Sequence, residues 1–201
     1  MGIDIDGAIE TCEADGVWDV EFDLLDFALG RYREPWDVLF GYWGNPDVKR
    51  PLFAERGLPD NASESVRETG NEDYQRNHTY VTWAEIAAVD WDAPISDGLA
   101  WNWVGEWRPD ATGRLVLHDV CGASPVAYQG EGEFEGHGML APREWPPGAE
   151  VRHGGSVYRP VVLTPRMVMP DDGRWDRVWD AMRELAVRYG AENVRLVCWF
   201  G

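Results

Sequence analysis

The first thirty residues alternate apolar and acidic positions in the pattern of a β-hairpin. Isoleucines predict a first strand over Ile3–Ile9, and two aspartates alternate with the first two isoleucines. Ala14–Gly16 has the chemistry of a tight turn, with Asp-Gly as its strongest part. Val17–Phe22 then alternates imperfectly, as a half-buried strand does. The chain is therefore expected to open with two antiparallel strands.

Helical and strand patterns follow one another in the middle of the chain. Helix-like stretches cover Asp23–Gly30 and Pro35–Phe40, and Ser63–Glu68 could form one or two helical turns. His78–Thr82 predicts a short strand. It leads into Thr82-x-x-Glu85, a capping box in front of apolar residues. That helix should end near Asp90, because a proline follows four residues later.

The last two elements have the strongest patterns. Apolar residues between Trp175 and Tyr189 recur at helical spacing, which predicts an amphipathic helix. Asp172 is a suitable N-cap, and Gly190 is a suitable residue to end the helix. Val194–Phe200 then predicts a mostly buried strand. A helix that leads by a short loop into such a strand indicates helices packed on a sheet.

The composition changes between about residues 95 and 165, where tryptophans and glycines are frequent. This region predicts strands and loops inserted between elements of the same domain. The fold class is therefore α+β: a mixed or antiparallel sheet starting with an N-terminal hairpin, helices packed on it, and a Trp/Gly-rich β insertion. We expect one domain over residues 1–201, with the insertion at about 95–165.

Charge and cysteine content exclude several classes of function. The chain has 201 residues, with 36 acidic against 18 basic residues and a net charge of −18, which argues against direct binding of nucleic acid. No membrane span or signal peptide is visible, so no membrane association is expected. The three cysteines form no CxxC pair. Free thiols without a targeting segment predict a cytoplasmic protein.

The negative charge is concentrated at the start of the chain. Residues 1–30 contain no base and nine acids, namely Asp4, Asp6, Glu10, Glu13, Asp15, Asp19, Glu21, Asp23 and Asp26. One interpretation is solubility or a salt-adapted cytoplasm. The other is an acidic surface that docks on a basic protein, with tryptophans as anchors. The second interpretation predicts a binding set of Asp15, Asp19, Glu21, Asp23, Trp101, Trp103 and Trp107.

Two aspartates near the start are also candidates for metal chemistry. Asp4 and Asp6 lie on the same face of the first strand, because side chains alternate with a period of two. The run Asp4–Gly7 resembles the opening of haloacid-dehalogenase phosphatases, in which two aspartates frame Mg²⁺. That fold continues into a strand-to-helix crossover, whereas a hairpin is predicted here. The alternative is two solvated carboxylates. A nucleophile elbow and a phosphate-binding loop are both missing from the sequence.

An ordered set of short motifs resembles a family of small uncharacterised proteins from phages, prophages and actinobacterial genomes, which usually open Met-Gly-Cys-Asp-Ile-His. The motifs are Met1–Ile5, Arg31-Tyr32, Arg56–Pro59, His78, Thr82–Glu85, Val194–Val197 and Trp199-Phe200. Asp6 stands where the family has its first histidine. The resemblance implies a phage-linked accessory protein. It also implies a shared polar site formed by Asp4, Arg31, Tyr32, Arg56 and His78.

Two functions follow as hypotheses. The first is an acidic cytoplasmic accessory protein, without cofactor or enzymatic activity, that binds and inhibits a basic or nucleic-acid-handling protein. The second is a small metal-dependent hydrolase or nucleotide-acting enzyme with a polar site around Asp4 and Asp6. In that enzyme the converging residues would be Asp4, Asp6, Arg31, Arg56 and His78. The oligomeric state is left open by the sequence.

Overall fold

The computed structural model describes residues 5–29, 33–42, 44–70, 75–122, 141–170 and 172–200. The chain forms two compact units. Unit 1 comprises residues 1–43, 51–90 and 169–201, and unit 2 comprises residues 44–50 and 91–168. Each unit contains one four-stranded antiparallel sheet. The α+β class and the N-terminal hairpin are therefore confirmed, whereas the single domain with an insertion stays a prediction.

Eight strands and five α-helices are described. The strands are β1 (Ile5–Cys12), β2 (Trp18–Asp23), β3 (Arg76–Thr82), β4 (Trp103–Pro109), β5 (Leu115–Gly122), β6 (Val151–His153), β7 (Ser156–Pro160) and β8 (Val194–Phe200). The helices are α1 (Glu34–Phe40), α2 (Glu64–Gly70), α3 (Trp83–Ala87), α4 (Pro165–Val168) and α5 (Arg174–Tyr189). Short 3₁₀ helices cover Leu24–Phe27, Pro142–Glu144 and Ala191–Asn193.

The sheet of unit 1 has the strand order β2-β1-β8-β3. Every residue of β8 is buried, because both faces of this central strand are covered. On one face, Val66 of α2 packs with Val197 and Trp199. On the other face, Trp36 of α1 lies with its ring centroid 5.8 Å from that of Phe200. Trp36 also lies 5.0 Å from Trp175 of α5, so α1 and α5 share this second layer.

The predicted helix boundaries are close to those observed in unit 1. The capping box at the start of α3 is present, with Thr82 accepting from the backbone of Glu85 and the Glu85 side chain accepting in return. The N-cap of α5 is Gly173, one residue after the predicted Asp172. Asp172 still accepts a hydrogen bond from the N–H of Arg174 at 3.0 Å, which satisfies one free donor of the first turn.

The sheet of unit 2 has the strand order β5-β4-β7-β6. Its core contains Val104, Trp145 and Val151, with Tyr158 packed against them. Residues 123–140 of the predicted insertion, which include four of its glycines, lie outside the described residues. Among the helices that the structure describes, none is both long and apolar enough to cross a lipid bilayer.

Candidate functional site

The turn between β1 and β2 is built by local hydrogen bonds. Asp15 Oδ1 accepts from the N–H of Val17 at 3.0 Å, and the carbonyl of Glu13 accepts from the N–H of Gly16 at 3.0 Å. Gly16 has a φ of 83°, in the left-handed region that favours glycine. Residues 13–17 are all exposed. The predicted Asp-Gly turn therefore projects its acidic side chains into solvent.

Strand β2 lies at the edge of the sheet and is exposed over most of its length. Only Trp18 is buried, and the next five residues are exposed. Ile9 pairs with Phe22 and Glu10 pairs with Val20, so one residue of β2 bulges out between them. Bulges and charged side chains are common features of edge strands, where they limit pairing with other strands.

The bulged residue, Glu21, is held by two hydroxyl groups. Its Oε1 atom accepts from the Thr11 hydroxyl at 3.1 Å and from the Tyr189 hydroxyl at 3.1 Å. Burial of Tyr189, together with the nearby Glu21 carboxylate, raises the pKa of the Tyr189 phenol above its ordinary value. The hydroxyl therefore stays protonated and continues to donate. These contacts orient Glu21 without neutralising its charge.

Six exposed carboxylates from this hairpin and from the 3₁₀ helix after it form what we call the acidic hairpin surface. They are Glu13, Asp15, Asp19, Glu21, Asp23 and Asp26. Within the described part of the chain, none of the six forms an ion pair with an arginine or lysine. Two of them cap local backbone instead, as when Asp23 accepts from the N–H of Leu25 at 2.8 Å. Their negative charge is left for solvent or for a partner.

Apolar side chains are exposed among these carboxylates. Val17 is 53% exposed, Val20 38%, Phe22 39% and Leu25 69%. Such residues become buried when a partner covers the surface, which supplies binding energy that charges alone do not. A mixture of acidic and apolar side chains on one hairpin is therefore chemically suited to a basic partner with apolar residues on its surface.

Glu10 of the acidic N-terminal run has a different environment from the hairpin surface. Glu10 is 0% exposed and pairs with Arg195, which is 3% exposed, at 2.7 Å. The second carboxylate oxygen of Glu10 accepts from the N–H of Ser63 at 2.8 Å. Arg195 also donates to Asn61 Oδ1 at 2.8 Å and lies 3.6 Å from the centroid of the Trp18 ring. This buried network connects β1, β8 and the segment before α2.

Of the two aspartates in the predicted metal site, the structure describes one. Asp4 lies outside them, and Asp6 is half-buried in β1, opposite Trp199 of β8. Across the described ranges there is no group of three or more His, Cys, Asp or Glu side chains that could hold a metal ion. The metal-dependent hydrolase therefore stays a prediction.

Arg56, a residue of the predicted polar site, forms a bidentate ion pair with Glu85. Its two terminal nitrogens lie 3.0 and 2.6 Å from the Glu85 carboxylate oxygens. Glu85 also accepts from the N–H of Thr82 at 2.9 Å, which completes the capping box. The hydrogen bond from Arg56 lowers the pKa of the Glu85 carboxyl. Two of the short motifs are thus joined by a contact that stabilises the fold.

His78, a second residue of that site, has its own partner. Its Nε2–H donates to the carbonyl of Gly70 at 2.5 Å, and its ring centroid lies 6.4 Å from that of Trp199. No hydrogen bond or ion pair joins His78 to Arg56, both of which are described. Arg31 and Tyr32 lie outside the described residues. The shared polar site stays a prediction.

The predicted tryptophan anchors belong to unit 2, whereas the acidic hairpin surface belongs to unit 1. Trp101 is exposed, and the guanidinium of Arg143 lies 3.4 Å from its ring centroid. Trp103 and Trp107 are half-buried in β4. Trp101 is therefore the most accessible of the three. Their role in binding a partner stays a prediction.

The three cysteines, all of them described, are poor nucleophiles. Burial raises the pKa of the Cys12, Cys121 and Cys198 thiols, and Cys198 is fully enclosed in β8. A thiol with a raised pKa is mostly protonated at neutral pH, and the thiolate is the reactive form. Cys198 is thus a small residue of the core of unit 1.

Sequence reasoning missed the contacts of Arg143, Asp47 and the Glu10–Arg195 pair. An arginine inside the apolar run of β8 was a usable signal, because a buried charge requires a partner. Arg143 and Asp47 gave no local signal, since their contacts are distant in sequence.

Comparisons of the chain with protein-family models, with curated proteins and with solved structures find no match, so the resemblance to a phage-associated family stays a prediction.

Proposed function

We propose that the protein is an acidic accessory protein that binds a basic, nucleic-acid-handling protein and inhibits it by covering its nucleic-acid-binding surface. The observation that carries the proposal is the acidic hairpin surface, in which six exposed carboxylates have no basic partner among the described residues. A surface that serves only to stabilise the fold would be expected to use its carboxylates in ion pairs, as Glu85 does with Arg56.

The carboxylates and the exposed apolar side chains have separate roles in this mechanism. The carboxylates attract a positive surface over about 8 Å at physiological ionic strength and raise the rate of encounter. Phe22 and Leu25 then lose contact with water against the partner and slow its dissociation. Because the same positive surface binds phosphates, its occupation by carboxylates excludes nucleic acid. The phage-linked origin implied by the family resemblance is in keeping with an inhibitor, and it forms part of the proposal.

The test uses a fluorescently labelled, arginine-rich DNA-binding peptide as a defined basic probe. In the test variant, Asp15, Asp19 and Asp23 are changed to asparagine, which keeps an oxygen acceptor for the turn and the 3₁₀ cap. Exposed charge pairs contribute about 0.5 kcal/mol each, so removal of three should weaken binding about tenfold. The measurement is fluorescence anisotropy at two salt concentrations, and binding should weaken at the higher one.

A matched control removes the same charge from another exposed part of unit 1. The control variant carries Asp60→Asn, Glu64→Gln and Glu68→Gln, three exposed acids on or beside α2. It should bind the peptide as the unchanged chain does. The unchanged chain should also displace the peptide from a labelled DNA duplex. Equal weakening by both triple variants would show attraction by net charge alone, and it would refute a dedicated surface.

A further inference from the structure

Unit 2 contains a groove of about 560 Å³, a volume typical of sites for small organic ligands. It lies beside the 3₁₀ helix that carries Arg143 and the end of β7. Its apolar walls include Leu99, Trp145, Pro146, Pro147 and Pro160. Leu99 is 42% exposed, so one wall is accessible to a ligand from solvent. The three proline rings present hydrocarbon surface to solvent, and an aromatic ring that covers them removes this apolar area from water.

Arg143 is the cation of the groove that has no acidic partner. Its guanidinium stacks on Trp101 at 3.4 Å, and no carboxylate in the described part of the chain forms an ion pair with it. The backbone at Trp101 is itself held in place, because the buried carboxylate of Asp47 accepts hydrogen bonds from the backbone N–H groups of Trp101 and Asn102. The guanidinium is thus covered on one face while its N–H edge is free to donate.

Glu150 and Arg159, the other two charged side chains that line the groove, pair with each other. Glu150 accepts two hydrogen bonds from Arg159, at 3.0 and 2.8 Å, and also pairs with Arg152. The hydrogen bonds from Arg159, and then those from Arg152, lower the pKa of the Glu150 carboxyl. Arg159 therefore has its acceptor already. The charge that remains for a ligand is the single positive charge of Arg143, in a chain whose net charge is −18.

We propose that this groove binds a small aromatic carboxylate. The ligand's ring packs between Leu99 and the proline rings, and its carboxylate accepts two parallel hydrogen bonds from Arg143. A planar guanidinium stacked on an indole is pre-organised for this forked contact, because the stacking restricts the long side chain before binding. The site lies in unit 2 and is independent of the acidic hairpin surface.

The test measures binding of 1-naphthylacetate and of its neutral amide to the full chain by isothermal titration calorimetry. A ligand of about 14 non-hydrogen atoms with ordinary efficiency should have a Kd of about 1 mM or below. The amide has the same ring and nearly the same shape, so it should bind about tenfold more weakly. The indole N–H resonance of Trp101, assigned with Trp101→Phe, should shift on binding of the carboxylate.

Two variants of exposed arginines separate the site from general attraction of an anion. Arg143→Gln should weaken binding of the carboxylate about tenfold while leaving binding of the amide unchanged. Arg114→Gln makes the same change of charge in the β4–β5 turn of unit 2, outside the groove, and should have no effect. Any of three results would overturn the proposal. The carboxylate and the amide could bind with equal affinity, the two variants could have equal effects, or 1-naphthylacetate could fail to bind at about 5 mM.

Discussion

Replacement of Arg195 by methionine tests whether the buried ion pair of unit 1 supports the fold. The variant leaves the Glu10 carboxylate fully buried, and among the described residues the N–H of Ser63, at 2.8 Å, remains as its hydrogen-bond donor. Removal of one partner from a buried pair costs about 3–5 kcal/mol, because the other charge stays desolvated without compensation. For a chain of this length, that corresponds to a fall in Tm of about 6–20 °C.

The assay is thermal unfolding followed by circular dichroism, together with hydrogen exchange of peptides from β1 and β8. Because the chain forms two compact units, hydrogen exchange is needed to show which unit has lost stability. We expect faster exchange in β1 and β8 and unchanged exchange in β4. The matched control is Arg183→Met, which breaks an exposed pair with Asp180 and should cost less than about 1 kcal/mol.

A double variant gives the decisive comparison. Glu10→Gln combined with Arg195→Met removes both charges, so it should be more stable than Arg195→Met alone by about 1–3 kcal/mol. A fall in Tm of less than about 2 °C for Arg195→Met would refute the reasoning. Additive losses in the double variant would refute it equally, because they would show that the uncompensated Glu10 carboxylate was not the source of the cost.

Two further predictions concern unit 1. Arg56 holds the pKa of the Glu85 carboxyl below its ordinary value of 4.5, so this carboxylate stabilises the fold at neutral pH and the contribution is lost as the pH falls through the lowered pKa. Glu85→Gln should therefore lower the free energy of unfolding by about 1 kcal/mol at pH 7, a value that allows for screening by solvent. In the variant, the free energy of unfolding measured in urea should decrease less below pH ~4.5 than it does in the unchanged chain. At Gly7 a Cβ would lie 2.3 Å from the carbonyl oxygen of Val197, so Gly7→Ala should cost about 3 kcal/mol. The control is Gly122→Ala in β5, which should be nearly neutral in the same assay, because no atom of the described residues beyond its chain neighbours lies within 4 Å of the new Cβ.

Much of the local structure was predictable because its causes lie within a few residues. The Asp15–Gly16 turn, the Thr82–Glu85 capping box and the apolar spacing of α5 each depend on contacts within about one turn of chain. The start of α5 was placed one residue early because both Asp172 and Gly173 suit a helix start, and the side chain of Asp172 does bond to the first turn. Such shifts of one residue are ordinary at helix ends.

The candidate site could be predicted only in part. Four residues of the predicted binding set, Asp15, Asp19, Glu21 and Asp23, lie on the acidic hairpin surface, because a hairpin strand at a sheet edge exposes its polar residues. The groove of unit 2 was not predicted. Arg143 follows Trp101 by 42 positions, and nothing local indicates that their side chains stack.

The sequence by itself determined where the strands and helices of unit 1 form and that the start of the chain is strongly acidic. The tertiary structure decided what each acid does. Glu10 and Glu21 have the same side chain on neighbouring strands, yet the first is buried beside Arg195, 185 positions away, and the second is exposed. Local preferences act over a few residues and set secondary structure, whereas burial and charge pairing depend on packing between distant segments, which only the folded chain brings together.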